Sequence, residues 1–397
     1  MNKTVAIVGS GPNGLMAAII LSNSGYKVKI IDSYDSLGGG LRSFVNPLYN
    51  TTHDICSAVH PMAVLSPAFR SIGLHKSVSM VSPPRPFAHA FNSCDINNIK
   101  LRQLYISKFA GVAAHGMVDP FSLIGIGIGA TLYSASKIVN WPIPIGGSQN
   151  IINFLISKLN CNNVDIILDT FVDKNNYDDY LSDVSSVIWD TTPDIPLQII
   201  SSGTYKPRKS VVSALKVDYV VDAPIPWIDQ GLFQAGTIHL GGKYSHIREI
   251  ERKAANGIEV KEPFVILSQP TLFDSTRAPE GTHTVWAYAH VPSNSYSDAQ
   301  EVCSRVIEKY APGFSNTILY AKSSNIKDIE KYNPNYKYGD ILSGSTYKSQ
   351  MFPNGIRKLP WVLPKKNWFM CSSAVFPGPG VHGLGGMAAA KLVMKYT

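Results

Sequence analysis

The stretch that decides the fold is residues 4–40, TVAIVGSGPNGLMAAIILSNSGYKVKIIDSYDSLGGG. Thr4–Val8 is short and rich in β-branched residues, which predicts a buried strand. The apolar residues 12–24 predict a helix that ends at Gly25, and Lys27–Ile31 predicts a second strand. These segments together predict one strand–helix–strand unit, whose first connection is the turn GSGPNG.

This turn satisfies the pattern G-x-G-x-x-G, with the residues Gly9, Ser10, Gly11, Pro12, Asn13 and Gly14. Gly9 permits a tight turn, Gly11 lets backbone N–H groups approach a pyrophosphate, and Gly14 lets the helix pack closely on the sheet. Asp32, at the end of the second strand, accepts hydrogen bonds from an adenosine ribose and disfavours a 2′-phosphate. The pattern therefore predicts a dinucleotide-binding site made of these seven residues.

A second glycine turn, Gly38-Gly39-Gly40-Leu41-Arg42-Ser43, begins six residues after Asp32. A plain NAD dehydrogenase has no required use for such a turn. The turn resembles the signature of FAD-containing oxidoreductases of the amine oxidase and phytoene desaturase type. In those proteins the paired glycines, here Gly39 and Gly40, and the arginine, here Arg42, lie along the flavin-bearing half of the cofactor.

Further segments extend the resemblance over nearly the whole chain: DICSAVHPMAVLSPAFRSIGL, FAGVAAHGM, PIPIGGSQNIINFL, KVDYVVDAPIPW, AGTIHLGG, LSQPTLFDSTRAPEGTHTVWAYAHVP, YAPGF and CSSAVFPGPGVHGLGGMAAAKLV. They resemble the carotenoid/retinoid oxidoreductase family, which is phytoene desaturase-like, and in particular its branch of pyridine nucleotide-disulphide oxidoreductase domain-containing proteins. Between Phe91 and Phe109 the chain is much shorter than that family. The resemblance therefore implies the fold and FAD as cofactor, but does not identify a substrate.

The C-terminal glycine turn is the second end of the predicted cofactor site. Five glycines fall between Gly378 and Gly386, just before an apolar helix whose N-terminus carries partial positive charge. The resemblance implies that this turn cradles the flavin ring, where negative charge collects on reduction. The residues predicted to bind cofactor here are Gly380, Val381, His382 and Gly383, together with Val172 from an earlier segment.

The order of strand and helix patterns predicts an α/β fold with a discontinuous Rossmann-type domain and an inserted mixed-sheet α+β domain of the amine oxidase/phytoene desaturase type. Patterns that continue the first domain lie at residues 148–160 (helix), 164–168, 184–189 and 368–372 (strands). Alternating β patterns lie at 211–221, 237–240, 264–268 and 284–290, followed by one amphipathic helix at 298–310. We predict an FAD-binding domain of residues 1–75, 144–204 and 359–397, and a substrate domain of residues 76–143 and 205–358.

Composition limits the function classes. The chain has 397 residues, 45% of them hydrophobic, and its net charge of +8 comes from 36 Lys and Arg against 28 Asp and Glu without a dense basic block, so we predict no nucleic-acid partner. A looser basic run is expected to be a solvated face, with an anionic membrane surface as the alternative; it comprises Lys206, Arg208, Lys209, Lys216, Lys243, Arg248, Arg252 and Lys253. The five cysteines include no C-x-x-C pair, which argues against a disulfide framework, a metal site and a dithiol redox centre.

Two apolar features bear on location and on a second cofactor. Residues 120–136 are uncharged but short for a membrane span, and with no export signal this predicts a cytoplasmic protein with at most a peripheral membrane contact. Within that stretch, Gly125-Ile126-Gly127-Ile128-Gly129-Ala130 resembles a dinucleotide turn. It lacks a following helix and acidic strand end, so we predict no nicotinamide site there.

Catalytic residues are only weakly indicated. His60 follows DICSAV, His239 lies in AGTIHLGG and His382 lies in the flavin turn, and each is a candidate acid or base. Asp274 and Arg277 are expected to form a structural ion pair more than a substrate clamp. A flavin that accepts a hydride needs no protein base at all.

Three functions follow from this sequence. The first is an FAD-dependent oxidoreductase that acts as a desaturase or saturase on an apolar, lipid-like or polyene-like substrate, with dioxygen, a quinone or another carrier as acceptor. The second is a flavin amine oxidase with an aromatic cage, to which Trp286, Tyr288 and Trp227 are candidates. The third is a non-catalytic FAD-binding partner protein.

Overall fold

The computed structural model describes residues 3–92, 100–202, 205, 209–345, 351–353, 355 and 358–397. The strands in this part of the chain are Thr4–Val8 (β1), Lys27–Ile31 (β2), Ser43–Asn46 (β3), Thr51–Asp54 (β4), Met80–Val81 (β5), Arg85–Ala90 (β6), Ile143–Pro144 (β7), Val164–Ile167 (β8), Ser186–Trp189 (β9), Val212–Val221 (β10), Ala235–Leu240 (β11), Val265–Ser268 (β12), His283–Pro292 (β13), Ile318–Ser324 (β14) and Trp368–Met370 (β15). The α-helices are Pro12–Asn23 (α1), Pro61–Leu65 (α2), Pro67–Ser71 (α3), Leu74–Ser77 (α4), Leu101–Ala113 (α5), Leu123–Ile138 (α6), Gln149–Ser157 (α7), Tyr177–Leu181 (α8), Asp194–Ile200 (α9), Tyr244–Ala255 (α10), Ala299–Glu308 (α11), Ile326–Tyr332 (α12) and Leu384–Tyr396 (α13).

β1 lies at the centre of a five-stranded parallel sheet with the order β15–β9–β1–β2–β8. A parallel sheet needs both faces covered, and this one has an apolar core on each. One core joins Ile7 and Ile30 of the strands to α1, α7 and α13, and the other joins Ala6 and Trp189 to α9. The predicted Rossmann-type α/β domain is confirmed.

The strands of this sheet come from three separate parts of the chain, with β1 and β2 first, β8 and β9 next, and β15 near the C-terminus. The predicted discontinuity of the nucleotide-binding layer therefore matches the observed sheet. The domain boundaries themselves stay predictions.

A second sheet of six strands has the order β14–β10–β13–β12–β11–β6. Its neighbours are antiparallel except for the edge pair β11 and β6, so the sheet is mixed as predicted. α11 packs on this sheet through Val302, Cys303, Val306 and Ile307. The predicted amphipathic helix at residues 298–310 is therefore confirmed in shorter form.

The expectation of only one helix between residues 205 and 355 was wrong, because α10 and α12 also lie there. α10 coincides with part of the basic run, and its buried residues Ile247, Ile250 and Ala254 recur at helical spacing among the charges. The run is also not one solvated face, since Lys216 is buried and paired with Asp218. Lys206 and Arg208 lie outside the described residues.

The uncharged residues 120–136 form most of α6, and Gly125-Ile126-Gly127-Ile128-Gly129-Ala130 lies inside this helix and not in a turn. α5 and α6 were not predicted as helices. They pack closely, since a Cβ on Gly129 would lie 2.9 Å from the Cβ of Ala113. Within the described ranges, none of the helices is long and apolar enough to cross a membrane. A cytoplasmic location and a peripheral membrane contact stay predictions.

The first and last helices of the chain are in close backbone contact. A Cβ added to Gly386 of α13 would overlap the carbonyl oxygen of Asn13 and lie 3.0 Å from the backbone nitrogen of Ala17. Both of these neighbours are backbone atoms of α1, which cannot move without displacing the helix. Glycine at position 386 therefore allows α13 to pack on α1.

We expect the substitution Gly386→Ala to lower the free energy of unfolding by roughly 1–3 kcal/mol, because the added methyl group forces α1 and α13 apart. Thermal unfolding followed by circular dichroism measures the change. Gly127→Ala is the matched control, since Gly127 is also helical and its Cβ would meet nothing within 4 Å. That control should unfold at the same temperature as the wild type or slightly higher. Equal effects of the two substitutions would contradict this account of the helix contact.

Candidate functional site

A cavity of about 780 Å³ lies between the carboxyl edge of the parallel sheet and the face of the second sheet. The position follows from the fold, because open α/β sheets bind ligands at the carboxyl ends of their strands. The predicted cofactor-binding residues that line it are Gly9, Ser10, Gly11, Pro12, Asn13, Asp32, Gly39, Gly40, Arg42, Val172, Gly380, Val381 and His382. The structure therefore gathers residues from five separate parts of the chain into one wall.

Gly14 and Gly383 do not line this cavity and lie just behind it. A Cβ on Gly14 would overlap the carbonyl oxygen of Gly9, and one on Gly383 would lie 2.5 Å from the ring of Phe69. Gly9 itself has φ +98°, in the left-handed region that glycine adopts without strain. The roles predicted for Gly9 and Gly14, a tight turn and close packing of the helix, agree with these contacts.

Asp32 fixes the shape of the first glycine turn. Its carboxylate accepts hydrogen bonds from the backbone N–H of Ser10 at 2.8 Å, from the Ser10 hydroxyl at 2.5 Å and from the N–H of Tyr34 at 2.9 Å. The side chain is 8% exposed at the wall of the cavity. Asp32 therefore holds the turn against the end of β2, and its contact with a ribose stays a prediction.

Arg42 places a fixed positive charge between the two glycine turns. Its guanidinium lies 4.2 Å from the ring centroid of Tyr34 and 3.6 Å from the Asp32 carboxylate. It also donates hydrogen bonds to the carbonyl oxygens of Ser36 and Gly39. Stacking and these carbonyls hold the side chain in one position, so the cation faces whatever occupies this end of the cavity.

Asp190 is a functional candidate that the sequence reasoning missed. It follows β9, the neighbour of β1, and its Oδ2 atom accepts a hydrogen bond of 2.9 Å from the N–H of Gly14. The same Oδ2 atom would lie 2.7 Å from a Cβ on Gly11. Burial raises the pKa of Asp190 to about 7, and the Asp32 carboxylate adds to the shift against the opposing hydrogen bond from Gly14. An acidic residue at the carboxyl end of a strand next to β1 was the signal available in the sequence.

The C-terminal turn is held by His382. Its Nε2 atom donates to the carbonyl oxygen of Gly378 at 2.9 Å, and its Nδ1 atom accepts from the N–H of Leu384 at 3.1 Å. Both ring nitrogens are therefore used in shaping the turn at the start of α13. Burial lowers the pKa of His382, so the ring is neutral.

The other two candidate histidines lie behind the cavity and do not line it within the described residues. The Nε2 atom of His60 lies 2.8 Å from the hydroxyl oxygen of Ser148, and burial lowers the pKa of His60 to about 4. The Nε2 atom of His239 lies 2.8 Å from the Nε2 atom of His115, which does line the cavity. A catalytic role for His60, His239 or His382 stays a prediction.

The expected ion pair of Asp274 and Arg277 is confirmed as a buried structural contact. Nε of Arg277 lies 2.9 Å from the Asp274 carboxylate, and its Nη1 atom lies 2.6 Å from the carboxylate of Asp54. This pairing ties β4 to the turn that follows β12. It does not line the cavity.

Two aromatic residues of β13 line the cavity opposite the glycine turns. Trp286 and Tyr288 are two positions apart on one strand, and their rings are stacked with centroids 5.6 Å apart and planes 9° apart. Trp227, the third candidate for an aromatic cage, was predicted wrongly. It is 2% exposed in the core between the second sheet and α11 and does not line the cavity.

Comparisons with known proteins agree with this geometry. Residues 7–69 match the family model described as NAD(P)-binding Rossmann-like domain. No curated protein matches the sequence of the chain.

Solved structures resemble the chain over almost all of its length. An oxidoreductase from Methanosarcina mazei is 12% identical with a TM-score of 0.60, and the match covers 99% of this chain and 100% of that one. Cyclohexylamine oxidase from Brevibacterium oxydans is 13% identical with a TM-score of 0.62, over 100% and 99% of the two chains. Putrescine oxidase bound to putrescine is 14% identical with a TM-score of 0.55, over 99% of each chain. The chain has the fold of flavin-dependent oxidoreductases of the amine oxidase type, and the phytoene desaturase-like assignment stays a prediction.

The raised pKa of Asp190 predicts that the stability of the protein depends on pH. The pKa of this carboxyl is raised in the fold from its ordinary value of 3.8 to about 7, so folding favours the protonated form. The contribution of Asp190 to the free energy of unfolding is then fully present below pH 4 and is lost as the pH rises through 7. In protein freed of any bound nucleotide, we expect Asp190→Asn to raise the midpoint of thermal unfolding by about 5 °C at pH 8 and hardly at all at pH 4.

Scanning calorimetry at the two pH values measures this difference. The exposed carboxyl Asp165 supplies the matched control, and Asp165→Asn should shift the midpoint equally little at both. If Asp190→Asn has the same effect at pH 4 and pH 8, the carboxyl is not held protonated by the fold.

Proposed function

We propose that the protein is an FAD-dependent oxidoreductase that transfers a hydride between an apolar substrate and the flavin. The observation that carries this proposal is the continuity of the cavity. One wall holds the two glycine turns and the C-terminal glycine turn, and the opposite wall holds aromatic and aliphatic side chains of β13 and α6. A dinucleotide and a second, apolar molecule would therefore meet inside one continuous cavity.

The residues of the nucleotide end fit FAD. The two glycine turns touch, since a Cβ on Gly39 would lie 2.9 Å from the Cα of Gly11, and this leaves backbone as the lining of the cavity. Gly11 is the N-cap of α1, whose N-terminus favours a pyrophosphate. Arg42 supplies a cation, and Asp190 accommodates an anion in its protonated form. Bound FAD would supply the hydride-accepting ring.

The C-terminal turn fits the flavin end of the same cofactor. Gly380 and Val381 line the cavity with positive φ angles of 142° and 54°, and Gly383, at φ 65°, is the N-cap of α13. This geometry places the N-terminal end of α13 next to the cavity, where its partial positive charge would stabilise a reduced, negatively charged flavin ring. The C-terminal turn, together with the two N-terminal glycine turns, therefore supports FAD over a shorter nucleotide.

The substrate end supports an apolar substrate. α6 contributes Ile124, Ile128 and Leu132 to the wall, next to the stacked rings of Trp286 and Tyr288. The carboxylates among the described lining residues are Asp32 and Asp190, and both lie at the ends of β2 and β9 beside the glycine turns. A protonated amine would therefore find no counter-charge at the aromatic end.

An amine substrate is the second candidate, because two observations favour it. The stacked pair of Trp286 and Tyr288 offers aromatic faces to a ligand, and two of the similar structures are amine oxidases. A neutral amine could use these faces without a carboxylate. The lining charges favour the apolar substrate, and the reduction experiment below separates the two.

The purified protein should be yellow with FAD held tightly, and Gly11→Leu should yield protein without flavin, because a side chain there fills the space that a pyrophosphate needs. The flavin content per protein, read from the absorption spectrum, measures this. Gly127→Leu is the matched control, since Gly127 lines the substrate end and its Cβ would meet nothing within 4 Å. It should keep a full complement of FAD. Stoichiometric FAD in folded Gly11→Leu would assign the cofactor to another site.

Anaerobic stopped-flow mixing tests the reaction. We expect apolar polyenes or lipids with an allylic C–H bond to reduce the flavin with saturation, and primary amines to reduce it at least tenfold more slowly. NADH and NADPH should reduce the flavin slowly and without saturation. The other glycine-rich segment that resembled a dinucleotide turn, residues 125–130, lies within helix α6 and does not form a nucleotide-binding turn. Rapid, saturable reduction by micromolar nicotinamide would make the protein a reductase instead, and rapid reduction by amines would make it an amine oxidase.

A further inference from the structure

Two histidines, His115 and the buried His239, are in contact at the substrate end of the cavity. His115 lies in the short turn Ala114–Gly116 after α5 and lines the cavity. Its Nε2 atom lies 2.8 Å from the Nε2 atom of His239 on β11, and its ring meets that of Trp141 edge-on with centroids 5.4 Å apart. These contacts fix the imidazole of His115 in one orientation.

Both rings are neutral. Burial lowers the pKa of His115 to about 3, with a smaller contribution from the charge of His290, and burial also lowers the pKa of His239 well below its ordinary value. A neutral imidazole carries one hydrogen on one of its two nitrogens. The contact between the two Nε2 atoms therefore contains a single hydrogen, which belongs either to His115 or to His239.

The surroundings of His239 decide which ring donates. Its Nδ1 atom is buried and has no hydrogen-bond partner in the described part of the chain. The neighbouring His89 donates from Nε2 to the carbonyl oxygen of Gly242 at 2.6 Å, so its own Nδ1 atom is a bare lone pair that is also unpartnered. A hydrogen on Nδ1 of His239 would be an orphaned buried donor, which folded proteins avoid. His239 therefore carries its hydrogen on Nε2 and donates it to His115.

It follows that His115 carries its hydrogen on Nδ1. This nitrogen has no hydrogen-bond partner among residues 3–92, 100–202, 205, 209–345, 351–353, 355 and 358–397. His115 lines the cavity, so its Nδ1–H group is an unused hydrogen-bond donor at the substrate end. The lining carboxylates, Asp32 and Asp190, lie at the other end.

We propose that the Nδ1–H group of His115 forms a subsite for a hydrogen-bond acceptor, a carbonyl or ether oxygen, on an otherwise apolar substrate. His239 is the positioning residue, because its donated hydrogen bond keeps the N–H of His115 on Nδ1. The identification of the ligand as a substrate rests on the proposed function. The hydrogen-bond donor itself is a feature of the cavity and does not depend on that function. It narrows the substrate class to apolar molecules with one oxygen acceptor.

The test is a binding experiment on the purified protein with its cofactor, and it does not need turnover. Two probes of the same shape are 2-acetylnaphthalene, which has a carbonyl acceptor, and 2-ethylnaphthalene, which has none. Isothermal titration should show roughly tenfold tighter binding of the ketone, the ratio expected of one net hydrogen bond. Equal affinities of the two probes would overturn the proposal.

Three variants make the test specific. His115→Leu should bring the ratio of the ketone affinity to the hydrocarbon affinity close to one, and His115→Asn, which keeps an N–H donor, should restore part of the ratio. The ratio is the readout, because a changed cavity wall alters both affinities together. The exposed His75 supplies the control, and His75→Leu should leave both affinities unchanged. A ratio that survives in folded His115→Leu would contradict the assignment of the donor.

The positioning role of His239 has its own readout. In protein labelled with ¹⁵N-histidine, the signals of His115, assigned by their loss in His115→Asn, should show a protonated Nδ1 and a bare Nε2. The variant His239→Phe should move His115 to a mixture of the two tautomers and reduce the ketone preference several-fold. A protonated Nε2 on His115 in the wild type would overturn the proposal.

Failure of this inference is distinguishable from failure of the proposed function. If no substrate reduces the flavin but the ketone preference depends on His115, the subsite stands and the hydride-transfer function falls. If pure hydrocarbons reduce the flavin rapidly and the ketone preference is absent, the function stands and the subsite falls.

Discussion

The parallel pairing of β1 with both β2 and β9 is the constraint on which the rest of the structure depends. Because parallel strands end at the same edge, this pairing brings the turn at Gly9, the carboxylate of Asp32 and the carboxylate of Asp190 together. α1 begins at the same edge and adds its N-terminal backbone groups. The order β9–β1–β2 therefore places the first glycine turn, both carboxylates and the start of α1 at one edge of the sheet.

The second sheet faces the same edge of the parallel sheet across the cavity. Trp286 and Tyr288 of β13 line the cavity opposite the glycine turns, and aliphatic residues of α6 line one side of it. The result separates the cavity by charge, since the carboxylates and Arg42 line one end and aromatic and aliphatic groups line the other. This separation is the physical reason why the site suits a charged nucleotide beside an apolar partner.

Local signals in the sequence were sufficient for the strands of the parallel sheet and for α1, α7 and α13, but the shorter helices α2, α3, α4, α8 and α9 were not predicted. β1, α1, β2, α7 and β9 follow from β-branched runs, glycine turns and apolar periodicity that are complete within a few residues. α6 was missed because one side of it faces the cavity and Leu123 and Ile126 on it are exposed, so its apolar residues do not form a single stripe. α10 was missed because its many charged residues were interpreted as a solvated basic run, although Ile247, Ile250 and Ala254 recur at helical spacing among them.

The candidate site also has parts that could be predicted from the sequence and parts that could not. The glycine turns could be predicted because the glycines of each turn lie within a few residues of one another in the sequence. The pairing of His115 with His239 could not, since the two residues are 124 positions apart and only the fold brings them within 2.8 Å. Asp190 lies between these cases, because its place after a strand was visible but its contact with Gly14 depended on strand order.

The contact between α1 and α13 also affects the order in which parts of the chain can fold. Asn13 and Gly386 lie at opposite ends of the sequence, yet their backbones touch, and the turn at Gly380 and Val381 comes from the same late segment. Such long-range closure is slow compared with the formation of a single strand–helix–strand unit. During synthesis the first glycine turn therefore emerges long before its partners do. Until residues 380–396 have been synthesised, the apolar helix α1 lacks the partner that covers it, and exposed apolar surface of this kind favours aggregation.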